Sequence, residues 1–558
     1  MKPIILFLPV LFSFALISCS INNDEKDFRA FIEQHVKIYA PKFKLMNLAD
    51  WNANATGEKK FYEEKAALEL EIRKIYSNKQ EFEQLRKWKE SGNIKDSLLQ
   101  RQLIILFNNY ITNQVDTTLM RKMVEKSSAI ANKFNIFRPV LNGKEVDDNT
   151  IENILKNEKN SAKRKRAWEA SKEVGKAVAP DVIELVKLRN EAAHQMGYKN
   201  YYEMSLATNE QTVDEIGAIF DELKTLTDEP FKKLKSEIDA ELARKYGIKP
   251  SQMMPWHYQD RFFQEAPQIG SIDLDKYFKG KKVDELGRTF YANIGMPVDD
   301  ILKNSDIFGR EGKYQHAFEN DIDREGDIRV MLSVVDNLNW MSTMLHELGH
   351  AVYSKNVASN LPFLLRVETH TFVTEAIAML MERQPSNADW LQAMVGIPDR
   401  EKEMIRKTGE ENLRMHALIF CRWTQVMMHF EKAMYENPDQ DLNKLWWNLV
   451  QQYQMITPPE KRNAPDWASK IHLVQYPAYY HNYELGELTA SQLQHYIAKN
   501  VLKQESIKEV CFANKLEVGT YLKEKVFAPG ASLRWDALIK EATGEPLSAK
   551  FFAKEYVK

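Results

Sequence analysis

Cysteine is scarce in this chain, with three in 558 residues. That excludes a disulfide framework and any cysteine-rich metal fold. Glycine and proline are also few, at 21 and 20. Alternating polar and apolar runs are rare, which argues against a turn-dense β-sandwich or barrel. Charge of neither sign dominates: 77 basic and 79 acidic residues leave a net charge of −2. Nothing in that balance points to nucleic acid or an anionic membrane as a partner. Long apolar runs are missing too. The stretch from Ile4 to Ile17 is shorter than the roughly 20 residues a bilayer needs.

That stretch follows Lys2 and ends in Leu16-Ile17-Ser18-Cys19. A basic start, a short apolar core and a small residue before the break make a secretory signal. The ending resembles a bacterial lipobox, which implies that Cys19 is lipidated and becomes the mature N-terminus. The alternative is a plain signal peptide with an incidental cysteine. The expected organisation is a signal peptide over 1–19, a polar tether over 20–28 and one catalytic unit over 29–558. The expected location is the bacterial cell envelope, periplasmic or surface-exposed, with the lipid as the membrane anchor. Cys421 and Cys511 sit in apolar, helix-like surroundings and are expected to be buried free thiols.

What fills the rest is helix. Glu63–Ile75 and Leu98–Thr112 read as amphipathic helices, and a long helix through Lys187–Ala193 stops at Met196-Gly197-Tyr198. Residues 246–335 are broken by proline and glycine, with a short strand expected within Asp327–Val335. Residues 338–436 are helical again apart from a loop at Ser359–Leu365. The expected fold is mainly α, with two lobes around a deep central cleft and a small β element near the helix described next. A monomer is the default expectation.

That helix carries His346-Glu347-Leu348-Gly349-His350. Histidine is scarce, at 12, so two at this spacing around a glutamate are informative. One helical turn apart, His346 and His350 can reach one Zn2+ ion, and Glu347 can serve as general base on a water held by that ion. Glu375, 25 residues past His350, supplies a third ligand and leaves the fourth position open. Met341, Met344, Leu345, Leu348 and Val352 recur at helical spacing as a packing face. Gly349, an unfavourable residue inside a helix, leaves room for a neighbouring backbone or a substrate. The pattern points to a zinc peptidase acting on oligopeptides. Donors for the oxyanion are dense in Lys470-Ile471-His472 and Tyr479-Tyr480-His481-Asn482-Tyr483, although such a cluster alone is more often packing than function. His370 is the one other histidine near the site in sequence. His194, His416, His429 and His495 read as structural.

The order of these and further motifs resembles the family of angiotensin-converting-enzyme-like peptidyl-dipeptidases across roughly residues 180–490. The carrying residues are Gln315-His316-Ala317, the HExxH segment, Leu361-Pro362, Arg366 nine residues before Glu375, Trp446-Trp447-Asn448-Leu449, Tyr453-Gln454, Pro458-Pro459 with Arg462, Lys470-x-His472 and Tyr480-x-x-Tyr483. The resemblance implies that Tyr483 and His316 stabilise the oxyanion and that His472 binds peptide backbone. It makes Ala317 a substrate contact beside His316. It also implies that Lys470, Tyr480 and a glutamine, with Gln259 the candidate, grip a free C-terminal carboxylate so that dipeptides are released.

Departures are equally specific. The family's aspartate one turn after the glutamate ligand is Met379 here, so a backbone carbonyl, Glu382 or Glu368 must support the zinc histidine. Arginines that bind chloride in the animal enzymes are replaced by Val450 and Asn482, which implies activity without chloride. Two other readings stay open. Phe372-Val373-Thr374-Glu375-Ala376 and Tyr483-Glu484-Leu485-Gly486 lean toward a zinc oligoendopeptidase of the thimet or oligopeptidase F kind. The missing aspartate motivates a surface lipoprotein that binds peptides without turnover.

Overall fold

The histidine helix spans Leu338–Asn356, and Asn337 starts it: its side chain accepts the Trp340 N–H at 2.8 Å. Its expected packing face is real, since Met341, Met344, Leu345, Leu348 and Val352 are all fully buried. Each such side chain contributes about 1.5–3 kcal/mol of burial. In this computed structural model, residues 23–268, 273–508 and 510–557 are described. The expected signal peptide and Cys19 lie outside them.

Long helices dominate: Ser161–Gln195, Val213–Tyr246 and Asp399–Glu436. The first two are capped by Asn160 and Thr212 side chains. Pro180 and Pro230 lie inside them without ending them, so tertiary packing outweighs the lost backbone bond. The first of these helices stops where expected, with Met196 as cap and Gly197 at φ +85°. The other expected helices appear as Lys59–Tyr76 and Ser97–Ile111. Residues 23–28 of the expected tether are instead the start of the helix Asn23–Thr56, where Phe28 is fully buried and Glu25 accepts the Lys95 and Asp96 N–H groups. Phe31 and Ile32 continue its face one turn on, and Trp88, 60 residues away, packs on it from another helix.

The β element near the histidine helix is an antiparallel pair, Phe318–Asp321 with Ile328–Met331, in register Glu319 to Val330. It packs against the histidine helix. One large apolar core runs from Ile130 to Tyr556 and holds the histidine helix. The N-terminal helices have their own core, from Phe28 to Ile111, which Leu364 closes. Trp51 and Ala55 of the first helix meet Ile322 and Met331 in a third, small cluster, tying that helix to the strand pair. Cys421 is buried and Cys511 half-buried, both as free thiols. Among the described residues no helix is long and apolar enough to cross a membrane.

Candidate active site

Three helices are layered at the site. The glutamate helix Thr371–Glu382 lies between the histidine helix and the tyrosine helix His481–Tyr496. Two glycines allow it. A Cβ on Gly349 would stand 3.0 Å from the Ala378 Cα, and one on Gly486 would stand 3.5 Å from the Glu375 Cβ. Gly349 thus admits a neighbouring backbone, one of the two uses expected of it. His370 begins the glutamate helix by accepting the Phe372 N–H at 3.2 Å.

This layering brings His346, His350 and Glu375 together, with ligand atoms all within 4.8 Å of one another. The two Nε2 atoms are 3.3 Å apart, and Glu375 Oε2 lies 3.8 and 4.0 Å from them. Ligand bonds of about 2.0–2.1 Å set a tetrahedral edge near 3.3 Å, so the histidine pair is at zinc spacing and the carboxylate slightly outside it. The far nitrogens are fixed as well. His346 Nδ1 bonds Glu382 Oε2 at 2.6 Å, and His350 Nδ1 bonds Thr374 Oγ1 at 2.8 Å. Both Nε2 atoms therefore face the centre, and the residues present fit zinc. Glu382 is the carboxylate that replaces the one missing at Met379; Met379 packs on Gly486 instead.

Glu347 is 8 % exposed. Burial pushes its carboxyl up to about 7, with Glu375 and Glu382 adding to the rise and His346 opposing it. It also accepts the backbone N–H of Glu319 on the strand beside it. Burial opposes a proton on His346, but the bond and charge of Glu382 outweigh it and lift this imidazole to about 9. His350, desolvated beside that charge, drops to about 3.

From the metal ligands a run of aromatic rings leads away. Tyr479 and Tyr483 both sense the Glu375 charge. The Tyr483 ring is 5.2 Å from Tyr480, and Tyr480 is 5.4 Å from both the His472 ring and the Lys470 Nζ. Tyr480 Oη accepts the Trp423 indole N–H at 2.6 Å. His472 Nδ1 is buried without a partner. Burial, then the neighbouring Lys470 charge, holds this imidazole near 4 and so uncharged. Lys470 is 8 % exposed and burial lowers its ammonium to about 8, against the pull of Asp260 and Glu265. Its Nζ donates to Gln264 Oε1 at 2.7 Å.

Two expected residues stand elsewhere. Gln259 lines the same cavity of about 660 Å³, but its Oε1 accepts the Gln268 N–H and the amide on Lys470 is Gln264. The reason is the loop: Asp260 is half-buried and accepts four successive N–H groups, from Phe262 to Glu265, which turns Gln264 inward. His316 is exposed, with its ring 5.2 Å from Tyr314, and among the described residues it has no ring contact with the metal ligands. Ala317 is half-buried against the main core, one residue before the strand. Thr374 and Gln264 were given no role from sequence, and Tyr479 was named only within the donor-rich segment. Thr374 and Tyr479 had a signal, each lying beside a named residue at helical spacing; Gln264 had none.

The remaining histidines are structural, stacked or bonded locally: His194 on the Lys199 carbonyl, His416 on Phe420, His429 on Tyr453, His495 on Phe551. Where the animal enzymes carry arginines, Val450 is buried in the main core and Asn482 accepts the Gln211 amide at 2.8 Å.

A paired-histidine helix, a carboxylate on the next helix and a buried glutamate beside them define a metallopeptidase. The chain belongs to peptidase family M3, whose profile matches residues 154–558, while a profile described as angiotensin-converting enzyme matches residues 22–260. It is a zinc metallopeptidase of the group that holds both. The catalytic motifs from His346 onward fall under the M3 profile alone. Among curated relatives, angiotensin-converting enzyme of Theromyzon tessulatum is 22% identical over 430 residues, 70% of this chain and 67% of that protein. The rat protein of the same name is 22% identical over 71% of this chain and 32% of its own length. Carboxypeptidase 1 of Bacillus subtilis is 24% identical over half of this chain and 57% of its own.

Proposed function

We propose that this protein removes dipeptides from the C-terminus of oligopeptides. The observation that carries this reading is the Lys470 ammonium, paired with the Gln264 amide at the end of the aromatic run from Tyr483. An extended residue advances about 3.3–3.6 Å. The two steps of 5.2 and 5.4 Å between Tyr483, Tyr480 and Lys470 set an upper limit on the separation of Tyr483 from Lys470, and a span of two residues lies within it. A substrate carboxylate on Lys470 leaves the second peptide bond from the end beside Tyr483 and Glu347. His346, His350 and Glu375 would hold zinc. When bound, zinc polarises the scissile carbonyl and acidifies water.

The chain's own groups do the rest. Glu347 takes the proton of the attacking water as the new C–O bond forms, and returns it to the leaving nitrogen as the C–N bond breaks. Tyr483 donates to the developing oxyanion. The neutral His472, with a free Nδ1, holds backbone of the departing dipeptide. Tyr480 lies against Lys470 and steadies the carboxylate.

The oligoendopeptidase reading has support of its own, because the M3 profile covers the catalytic motifs and the probable cytosolic oligopeptidase A of Arabidopsis thaliana is 23% identical over 169 residues. Product length separates the two. A blocked peptide and its C-terminally amidated twin are incubated with the mature protein, with and without a zinc chelator, and the products are weighed. Chelator-sensitive dipeptide release from the free acid alone is expected. Internal cleavage of both peptides would move the assignment to an oligoendopeptidase, and cleavage of neither, with zinc bound, to the peptide-binding lipoprotein. We also propose that Cys19 carries a lipid that holds the enzyme at the bacterial cell envelope; mass spectrometry of the mature N-terminus tests it.

A further inference from the structure

The segment from Lys470 to Tyr483 carries four substrate-facing residues, yet little of it is regular structure. A short helix, His472–Gln475, is followed by an irregular turn through Tyr476 to Ala478. Ala478 adopts φ +52°, a left-handed backbone that is uncommon for any residue but glycine. Such a path persists only when its surroundings enforce it. Two buried, ionisable side chains on two different long helices do so. Arg189 is 7 % exposed and donates to the carbonyls of Leu473 at 3.0 Å and Val474 at 2.6 Å, and to Tyr435 Oη at 3.1 Å. Glu431 is 2 % exposed and accepts the Ala478 N–H at 2.6 Å. The two also attract one another. Two turns earlier, the same helix as Glu431 supplies Trp423 to Tyr480.

The bonds from Arg189 and Glu431 fall between His472 and Tyr480. Lys470 and His472 lie on one side of them; Tyr480 and Tyr483 lie on the other. Whatever fixes this turn also fixes how far the carboxylate anchor stands from the hydrolytic centre. We propose that Arg189 and Glu431 are positioning residues that set product length, by clamping the turn that spaces Lys470 from Tyr483. This rests on the dipeptide-releasing reading above. Neither residue belongs to the groups that meet zinc, water or substrate.

The test uses the zinc-loaded full-length protein and one long blocked peptide as the free acid, with products resolved by mass. Wild type is read first: failure to release dipeptides overturns the dipeptidase reading and this proposal with it. Given dipeptide release, Arg189→Met and Glu431→Ala are each expected to release a mixture in which tripeptides exceed a tenth of product. KM for the free acid should rise about 5- to 20-fold, the range of one or two lost hydrogen bonds, while zinc content and turnover of any peptide not held by Lys470 stay near wild type. Glu431→Gln, which keeps an acceptor, should restore dipeptide-only release. Should either truncation fail to fold, Tyr435→Phe, which removes one bond to Arg189, is read the same way for a smaller shift. Folded variants that still release dipeptides alone at unchanged KM would overturn the proposal, as would a fall in kcat on all peptides without a change in product length.

Discussion

The metal ligands and the proposed carboxylate anchor are built on different principles. His346, His350 and Glu375 stand on two helices packed face to face, and each far nitrogen of the histidines is bonded within the same helix pair. The anchor is drawn from far apart in the chain. Gln264 and Lys470 are 206 residues apart, both outside long helices, and each is aimed by separate ionisable side chains: Asp260 for one, Arg189 with Glu431 for the other. A centre fixed by helix geometry tolerates little variation, since one turn of drift removes a ligand. An anchor fixed by loops can be retuned by a few residues without touching the metal.

The largest effect should come from the rigid half. Glu347→Gln is expected to lower kcat/KM by about 10³- to 10⁴-fold, the upper range for a general base. Zinc content, measured by elemental analysis, should stay at one per chain. Loss of the metal along with activity would contradict the separate role of Glu347. Next, Glu382→Ala should weaken zinc 10- to 100-fold, the usual effect of removing a partner of a metal-bound histidine. Competition with a fluorescent chelator measures it. An unchanged affinity would leave His346 supported by something other than Glu382.

The flexible half should respond more weakly and only for some substrates. Gln264→Ala should raise KM for free-acid peptides about 3- to 10-fold, the span of one hydrogen bond to a charged group; Gln259→Ala should do less. The reverse order would restore Gln259 as the anchor amide. The pH profile sharpens the same point. Burial has lowered Lys470 to about 8, so it carries its charge below that pH and loses it above. Discrimination for free acid over amide should therefore fade as pH rises through 8, and persist if Lys470 is not the anchor. The smallest expected effect is that of chloride. At fixed ionic strength it should change turnover by less than about twofold, because Val450 and Asn482 present no cation; an uncharged residue gives an anion no Coulomb attraction. A clear rise would locate an anion on another basic group, and Lys172 is the first to examine, being 2 % exposed with the Ser469 hydroxyl as its hydrogen-bond partner among the described residues.

How much of this was legible follows from the same contrast. Helix spacing put His346 and His350 on one face and made Met344 and Leu348 core, and both readings hold because they depend on residues a turn apart. Gly349 could be read as a close approach, though not as an approach of Ala378. The support of His346 was narrowed to a few groups, one of them Glu382, because a helix carries its seventh residue back to the same face. The amide bonded to Lys470 is Gln264, five residues past the expected Gln259, since nothing local in Met254–Gln264 reveals that Asp260 will bind four N–H groups and turn the chain. His316 was given a role by resemblance, and its side chain lies on the exposed side of the strand entry. Arg189 and Glu431 look like ordinary charges on long helices. Their function depends on a turn nearly 300 and 50 residues away, which no periodicity encodes.

The account rests on Lys470 meeting the substrate carboxylate while a separate centre does the hydrolysis. The most direct test is a cycle crossing Lys470→Met with replacement of the free acid by the amide, reading kcat/KM in all four combinations. If ammonium and carboxylate bind one another, either change alone should cost about 10- to 100-fold and the second should then add almost nothing, a coupling of roughly 1.4–2.7 kcal/mol. Losses that simply multiply would mean that the two groups never meet, and the dipeptide assignment would fall with them.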